Sequence, residues 1–187
     1  RSTLFPYTTL FRSRTGIGAK LLLISIAMQL AIKPEWFIFL HDKKSLQALN
    51  AKTWKDDLLS IINCEQLEKI NKIVLGSMNC GIIAAENYVR KETREGGHFV
   101  GKNGAILNEL LQQYQLECKR SEYIAGTMFW AKANPLLDFF SKYDPLKIRQ
   151  TLEYGNVLDD FSGSFTHSWE RLFSWIITSK GMNIKTV

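Results

Sequence analysis

Apolar side chains fill the run from Ile17 to Ile32 almost without interval, broken by Lys20 and Gln29. A run that is apolar nearly all round predicts a helix packed on more than one side, and Pro34 stops it. It is shorter than the roughly 20 residues that a bilayer span needs, so a buried helix is expected. Trp36 to Leu40 is a short unbroken apolar run, the pattern of a strand covered on both faces of a parallel sheet. Thr53 followed by Asp56 is a capping-box-like start for a helix carrying Trp54, Leu58, Ile61 and Ile62. Cys80 to Ala85 is a second apolar strand.

From Lys91 to Gly104 the chain is polar and rich in glycine, which predicts a mobile surface loop. Asn103 is placed to cap the helix that follows, whose apolar face is Ile106, Leu107, Leu110, Leu111 and Tyr114. Glu122 to Lys132 reads as one strand. Pro135 and Pro145 stand near the starts of two further helices, where a missing N–H costs little. The last helix is expected from about Ser164 to Lys180, with Gly181 beyond its end. Strands alternating with helices predict an α/β fold, a mostly parallel sheet flanked by helices. In such sheets ligands sit beyond the carboxyl ends of the strands, so the residues that follow each apolar run are the ones with chemistry to offer.

Composition narrows this picture a little. The chain has 187 residues, enough for one core, and its 45% hydrophobic and 22% charged content sets aside disordered and fibrous classes. Cys64, Cys80 and Cys118 are scattered, with no CxxC pair, so neither a disulfide framework nor a zinc site is implied. A net charge of +6 and a pI near 9.2 favour anionic partners. The excess is not gathered into a block. Residues 1–13, RSTLFPYTTLFRS, have no helical or strand period and are nearly mirror-symmetric. They resemble translated sequencing adapter and are read as a non-native leader, leaving 14–187 as one domain lacking its own N-terminal part.

Three clusters carry candidate chemistry. His41-Asp42-Lys43-Lys44-Ser45 follows the strand at Trp36, and its lysines suit a diphosphate while His41 and Asp42 suit a divalent metal or a sugar. The same residues also read as a charged turn. Gly126-Thr127-Met128-Phe129-Trp130 places a glycine, a sign of close approach, beside Phe129 and Trp130, which point to opposite faces. One ring then reaches a cleft to stack on a sugar or base, or both are core. In Thr166-His167-Ser168-Trp169-Glu170-Arg171, helical spacing puts His167, Glu170 and Arg171 on one face and Trp169, Leu172, Phe173 and Ile176 on another. Near a helix start that trio suits an anion or a general base, or a local salt bridge. Asp159 and Asp160 add carboxylates just upstream, and His98 is expected on the surface. There is no P-loop, GxSxG, HExxH or GxGxxG.

In this order and spacing HDKKS, GTMFW and HSWER resemble the rhamnan synthesis protein F family of bacterial polysaccharide glycosyltransferases, from about Gly16 to the C-terminus. Matching stretches also include Trp54 to Leu58, Gly81 to Ile83 and Gly155 to Asp159. The family's last motif is His, two variable residues, then Glu-Arg, which His167, Glu170 and Arg171 satisfy. The resemblance implies a partial GT-A-like glycosyltransferase fold acting on a nucleotide-diphosphate sugar, typically deoxythymidine-diphosphate rhamnose. It implies a polysaccharide or lipid-linked acceptor for cell wall, capsule or O-antigen. The expected setting is cytoplasmic, at the inner face of the bacterial membrane with peripheral contact, and without nucleic acid.

On that reading His41, Asp42, Lys43, Lys44 and Ser45 hold the donor, and Gly126, Thr127 and Trp130 line the cleft. Glu170 or Asp160 is the base on the acceptor hydroxyl, His167 orients it, and Arg171 assists it or meets the leaving phosphate. Many GT-A enzymes carry an Asp-x-Asp motif for magnesium or manganese where His41 to Ser45 stand; that motif is absent here, so the cofactor is left open, with His41 and Asp42 as the residues that suit a divalent metal. The alternative class is a non-catalytic binding module whose basic surface meets nucleic acid or membrane.

Overall fold

A computed structural model describes residues 16–40, 56–154, 157 and 163–187. In chain order the elements are helix α1 (Gly16–Gln29), strand β1 (Trp36–Phe39), a helical turn over 56–59 with a 3₁₀ turn at Ser60–Ile62, and helix α2 (Cys64–Gly76). Next come β2 (Cys80–Ala84), β3 (Val89–Lys91), β4 (Arg94–Glu95), β5 (His98–Phe99), α3 (Gly104–Gln113), β6 (Glu122–Ile124) and β7 (Phe129–Lys132). Helices α4 (Ala133–Lys142), α5 (Pro145–Thr151) and α6 (Phe165–Thr178) precede β8 (Asn183–Thr186).

The main sheet has four strands in the order β1-β7-β2-β8 and is mixed, which corrects the expectation of a mostly parallel sheet. β7 lies antiparallel to both β1 and β2, and only β2 and β8 pair in parallel. Two antiparallel ladders, β3 with β6 and β4 with β5, complete the sheets. The strand expected over 122–132 is interrupted between Ile124 and Phe129. Glu122 to Lys132 is not one strand but two, parted by a tight turn in which Gly126 (φ +80°) and Thr127 (φ +57°) are both left-handed. β6 and β7 keep one register against β3 and β2, so the turn interrupts a single antiparallel run, and β7 lies against β2 as β6 lies against β3.

β1 is an edge strand, not one covered on both faces. Phe37 and Phe39 are buried while Ile38 is 39% exposed, the alternation of a half-solvated strand. α1 is buried through Ile17, Gly18, Lys20, Leu21, Ile24, Ser25 and Ala27, and within the helix leaves Leu23 and Gln29 exposed. The glycine-rich stretch 91–104 is a built hairpin rather than a bare loop. Gly96 and Gly97 turn it with positive φ, Arg94 ties it to the Cys118 and Gly97 carbonyls, and Phe99 stacks on Trp175 at 4.7 Å. His98 is on the surface, as expected.

α6 is the central element. Trp169, Leu172, Phe173, Trp175, Ile176 and Ile177 are all buried along it, and each such side chain contributes about 1.5–3 kcal/mol when fully withdrawn from water. Phe173 meets Phe39 and Phe140 edge-on or tilted at 5.8 Å, joining helix, sheet and α4. The Ser174 hydroxyl accepts from the Ile124 N–H at 3.1 Å, and the Trp175 indole donates to the Glu122 carbonyl at 3.0 Å. These bonds pin β6 to α6 and so fix where the β6–β7 turn points.

Candidate functional site

β1 and β2 both oppose β7, and β8 runs with β2, so the carboxyl ends of β1, β2 and β8 share one end of the sheet with the start of β7. Phe39, the last residue of β1, lies opposite Phe129, the first of β7. The chain therefore leaves β1 beside the Gly126–Thr127 turn. His41 to Ser45, the residues that come next, lie outside the described residues, as do Asp159 and Asp160. Their convergence with the turn is not described.

Gly126 and Glu170, 44 residues apart in sequence, are in contact: the Gly126 N–H donates to Glu170 Oε1 at 2.9 Å. Glu170 Oε2 accepts from Arg171 Nη1 at 2.9 Å. Arg171 is buried and is the hub of the cluster. Its Nε donates to Glu92 Oε2 at 2.9 Å, Nη1 also donates to the His167 carbonyl at 2.9 Å, and Nη2 donates to the Tyr123 hydroxyl at 3.0 Å. The guanidinium also lies over the Tyr123 ring, 4.3 Å from its centroid. Burial works against its charge, but Glu170, Tyr123 and Glu92 outweigh that and hold Arg171 more firmly protonated than in water. An arginine so committed holds protein groups in place and has little left for a leaving phosphate.

The start of α6 is equally well satisfied. Glu153 takes the Phe165 N–H at 2.6 Å, the Thr166 N–H at 2.9 Å and the Thr166 hydroxyl at 2.7 Å. Burial alone pushes the Glu153 carboxyl up, yet the Thr166 and Phe165 donors carry it below its ordinary value. The Ser164 hydroxyl accepts from the His167 N–H at 3.1 Å and lies 2.6 Å from His167 Nδ1. Asn103, expected to cap α3, makes no side-chain cap there and instead accepts from the Ser164 N–H at 2.9 Å. So the α6 terminus that the sequence offers to an anion is occupied by the protein's own carboxylate.

Trp169 is fully buried, on the face expected of it. Trp130 is half-buried, and its indole donates to the Ile61 carbonyl at 3.0 Å, which places it against the 3₁₀ turn, on the opposite sheet face from Phe129. It does not join the Glu170 cluster. Thr127 does lie in the turn that Glu170 holds, 6% exposed, and its hydroxyl has no hydrogen bond among the described residues. A separate groove of about 350 Å³, lined by Glu86, Arg120, Glu122, Thr178, Ile184 and Thr186, contains none of the residues singled out above.

Lys20, Glu92, Tyr123 and Glu153 belong to these clusters and were not singled out from sequence. Only Lys20 left a signal: it is the one charged residue inside the apolar run Ile17 to Ile32. It is 3% exposed, and burial pulls its ammonium down to about 7, with Glu170's charge opposing the shift. Among the described residues no three His, Cys, Asp or Glu side chains gather as for a metal ion, and His41 and Asp42 lie outside them.

Set against protein-family models, curated proteins and solved structures, the chain matches none. What the fold defines is a mixed α/β protein. No helix among the described residues is long and apolar enough to cross a membrane.

Proposed function

We propose that the chain acts in glycosyl transfer, moving a sugar, rhamnose in the family it resembles, from a nucleotide-diphosphate donor to a growing cell-surface polysaccharide. The observation that carries this reading is the 2.9 Å bond from the Gly126 N–H to Glu170, which joins two of the three motifs behind the resemblance where β1 leads into the third. Independent surface turns and a packing helix have no need of such a link.

The geometry refines the roles. Glu170 has a donor on each oxygen and so is suited to hold the Gly126–Thr127 turn in shape. The base on the acceptor hydroxyl then falls to Asp160, with His167 positioned through Ser164. Thr127 offers its hydroxyl to the sugar, and Arg171 keeps Glu170 in place. Such a base contributes about a hundred- to ten-thousand-fold in rate. Magnesium or manganese, if used, would fall to His41 and Asp42.

The test is a titration of the chain with deoxythymidine-diphosphate rhamnose, set beside DNA and anionic lipid vesicles. Saturable nucleotide-sugar binding that survives moderate salt, and that Glu170→Gln weakens without unfolding the chain, is the expected result. Salt-labile binding to DNA or vesicles with none to the nucleotide sugar overturns the reading in favour of a binding module.

A further inference from the structure

The groove between β8 and the β3–β6 ladder measures about 350 Å³, the size of a small-ligand site, and Thr178, the last residue of α6, forms part of its wall. Ile184 pairs with Ile82, Ile82 pairs with Ala131, and Ala131 shares a face with Phe129. Ile184 therefore projects from the sheet face that α6 covers.

Thr178 carries a polar atom that the fold leaves unused. The residue is 3% exposed and its hydroxyl has no hydrogen-bond partner. A threonine at a helix end has a carbonyl of the preceding turn within reach, and Thr151 and the Ser179 hydroxyl do donate to carbonyls three residues back. Thr178 does not. A buried hydroxyl without a partner is destabilising, and rotation about χ1 carries it to the place of the methyl without moving the backbone.

The rest of the lining sorts by what it can exchange. Glu86 and Glu122 only accept, Arg120 only donates, and the Thr178 and Thr186 hydroxyls do both. Arg120 is held by one bond, from Nη1 to Asn183 Oδ1 at 2.8 Å, and its other N–H groups are unused among the described residues. β8 is the end strand of the sheet. Asn183 and Val187 turn their N–H groups toward β2, so by alternation those of Ile184 and Thr186 face outward. Two carboxylates against one guanidinium, with Lys91 only 4.0 Å from Glu122, give no positive excess to draw a phosphate. One kind of small ligand meets donors, acceptors and hydroxyls together and lays C–H surface on Val89 and Ile184: a ring bearing several hydroxyls, each of which donates and accepts.

The place suits an acceptor. Thr186 pairs with Ala84, and β7 runs antiparallel to β2 with Ala131 opposite Ile82, so Thr186 is level with the start of β7. Two strand spacings, about 10 Å, separate β8 from β7, and eight residues of α6, about 12 Å, separate Thr178 from Glu170. A few linked sugar units span such a distance. We propose that this groove is a saccharide-binding subsite for the acceptor chain. It rests on the glycosyl-transfer reading for the role of acceptor, but not for the saccharide chemistry.

Amide NMR titrations with rhamnose, a rhamnose oligosaccharide, glucose, glycine and inorganic pyrophosphate test it. The sugars are expected to shift the Thr178, Ile184 and Thr186 amides saturably, with the oligosaccharide the tightest. Thr178→Val keeps the shape without the hydroxyl. It is expected to weaken sugar binding about three- to tenfold, the worth of one hydrogen bond, and to melt no lower than wild type because an unsatisfied group is gone. Glu122→Gln, which removes a charged acceptor and only a long surface ion pair, is expected to weaken binding at least as much.

If no sugar moves these amides, or if both variants bind sugar as wild type does, the site is overturned. Stronger shifts from glycine or pyrophosphate than from any sugar overturn it in favour of an amino-acid or an anion site. Saccharide binding here without nucleotide-sugar binding keeps the groove and sinks the transfer reading. Nucleotide-sugar binding with an unresponsive groove does the reverse.

Discussion

Helices α1 and α6 begin under opposite conditions. At the start of α6 Glu153 faces the first N–H groups, Ser164 caps the turn, and Arg171, one turn further on, sits between Glu92 and Glu170. The first turn of α1 holds no acid, and the buried charge there among the described residues, Lys20, has the sign that the helix terminus disfavours. Both helices are 14 residues long and both pack on the sheet face that carries Phe39, so length and burial do not explain the difference. α6 is finished from within the chain and holds the architecture. α1 instead buries a cation whose one hydrogen bond among the described residues goes to the Gly16 carbonyl.

The comparison breaks first at Arg171. Arg171→Ala would leave Glu92 and Glu170 without their shared cation, and it would take one donor from the Tyr123 hydroxyl as well. Removing one partner from such a network costs about 3–5 kcal/mol. Urea denaturation of the variant should show a loss of that order. A loss of a few tenths would mean that the α6 cluster is solvated in practice and no more complete than the start of α1.

Lys20→Met should move stability the other way. The folded-state pKa of Lys20 is depressed from 10.5 to about 7, so the fold bears the full penalty of a buried ammonium below about pH 7. That penalty fades as pH rises toward 10.5, where the amine is neutral in both states. The variant is expected to be more stable than wild type by about 1–3 kcal/mol near neutral pH, the gain seen when a poorly paired buried charge becomes apolar. The gap should close at higher pH. A variant less stable than wild type throughout would show that Lys20 is already satisfied.

Much of this architecture was legible in the apolar pattern and some of its chemistry was not, for physical reasons. The stripe Trp169, Leu172, Phe173 and Ile176 is set by the 3.6-residue period, and all four side chains are buried. Sheet direction is set by the link between strands. Residues 122–132 are apolar and polar by turns across both β6 and β7, so their pattern hides the left-handed pair at Gly126 and Thr127 that interrupts the strand. A β-branched residue at positive φ is held there by its surroundings, here by Glu170, and no local signal announces it. The helical spacing of His167, Glu170 and Arg171 did predict a shared face. That Arg171 turns inward depends on Glu92 and Tyr123, which sit in other elements and have no distance to α6 until the chain folds.

The smallest expected effect, and the finest probe of the contrast, is at Glu153. Its carboxylate accepts three hydrogen bonds from the first turn of α6, two of them from backbone N–H groups that no other residue reaches. Glu153→Gln keeps the shape but removes the negative charge and turns an NH₂ toward those donors. Helix-terminal charge and capping interactions of this kind contribute about 1–2 kcal/mol, and the variant should lose about that much near neutral pH. The pH dependence has a definite sign. The Glu153 pKa is depressed below 4.5 in the fold, so its contribution is complete above about 4.5 and is lost as pH falls through the folded value. The difference in unfolding free energy between wild type and Glu153→Gln should therefore be flat above that point and shrink below it. Were it to stay constant into acid, Glu153 would be acting as a neutral hydrogen-bond acceptor, and the start of α6 would owe nothing to its charge. The contrast between the two helix starts would then rest on Lys20 alone.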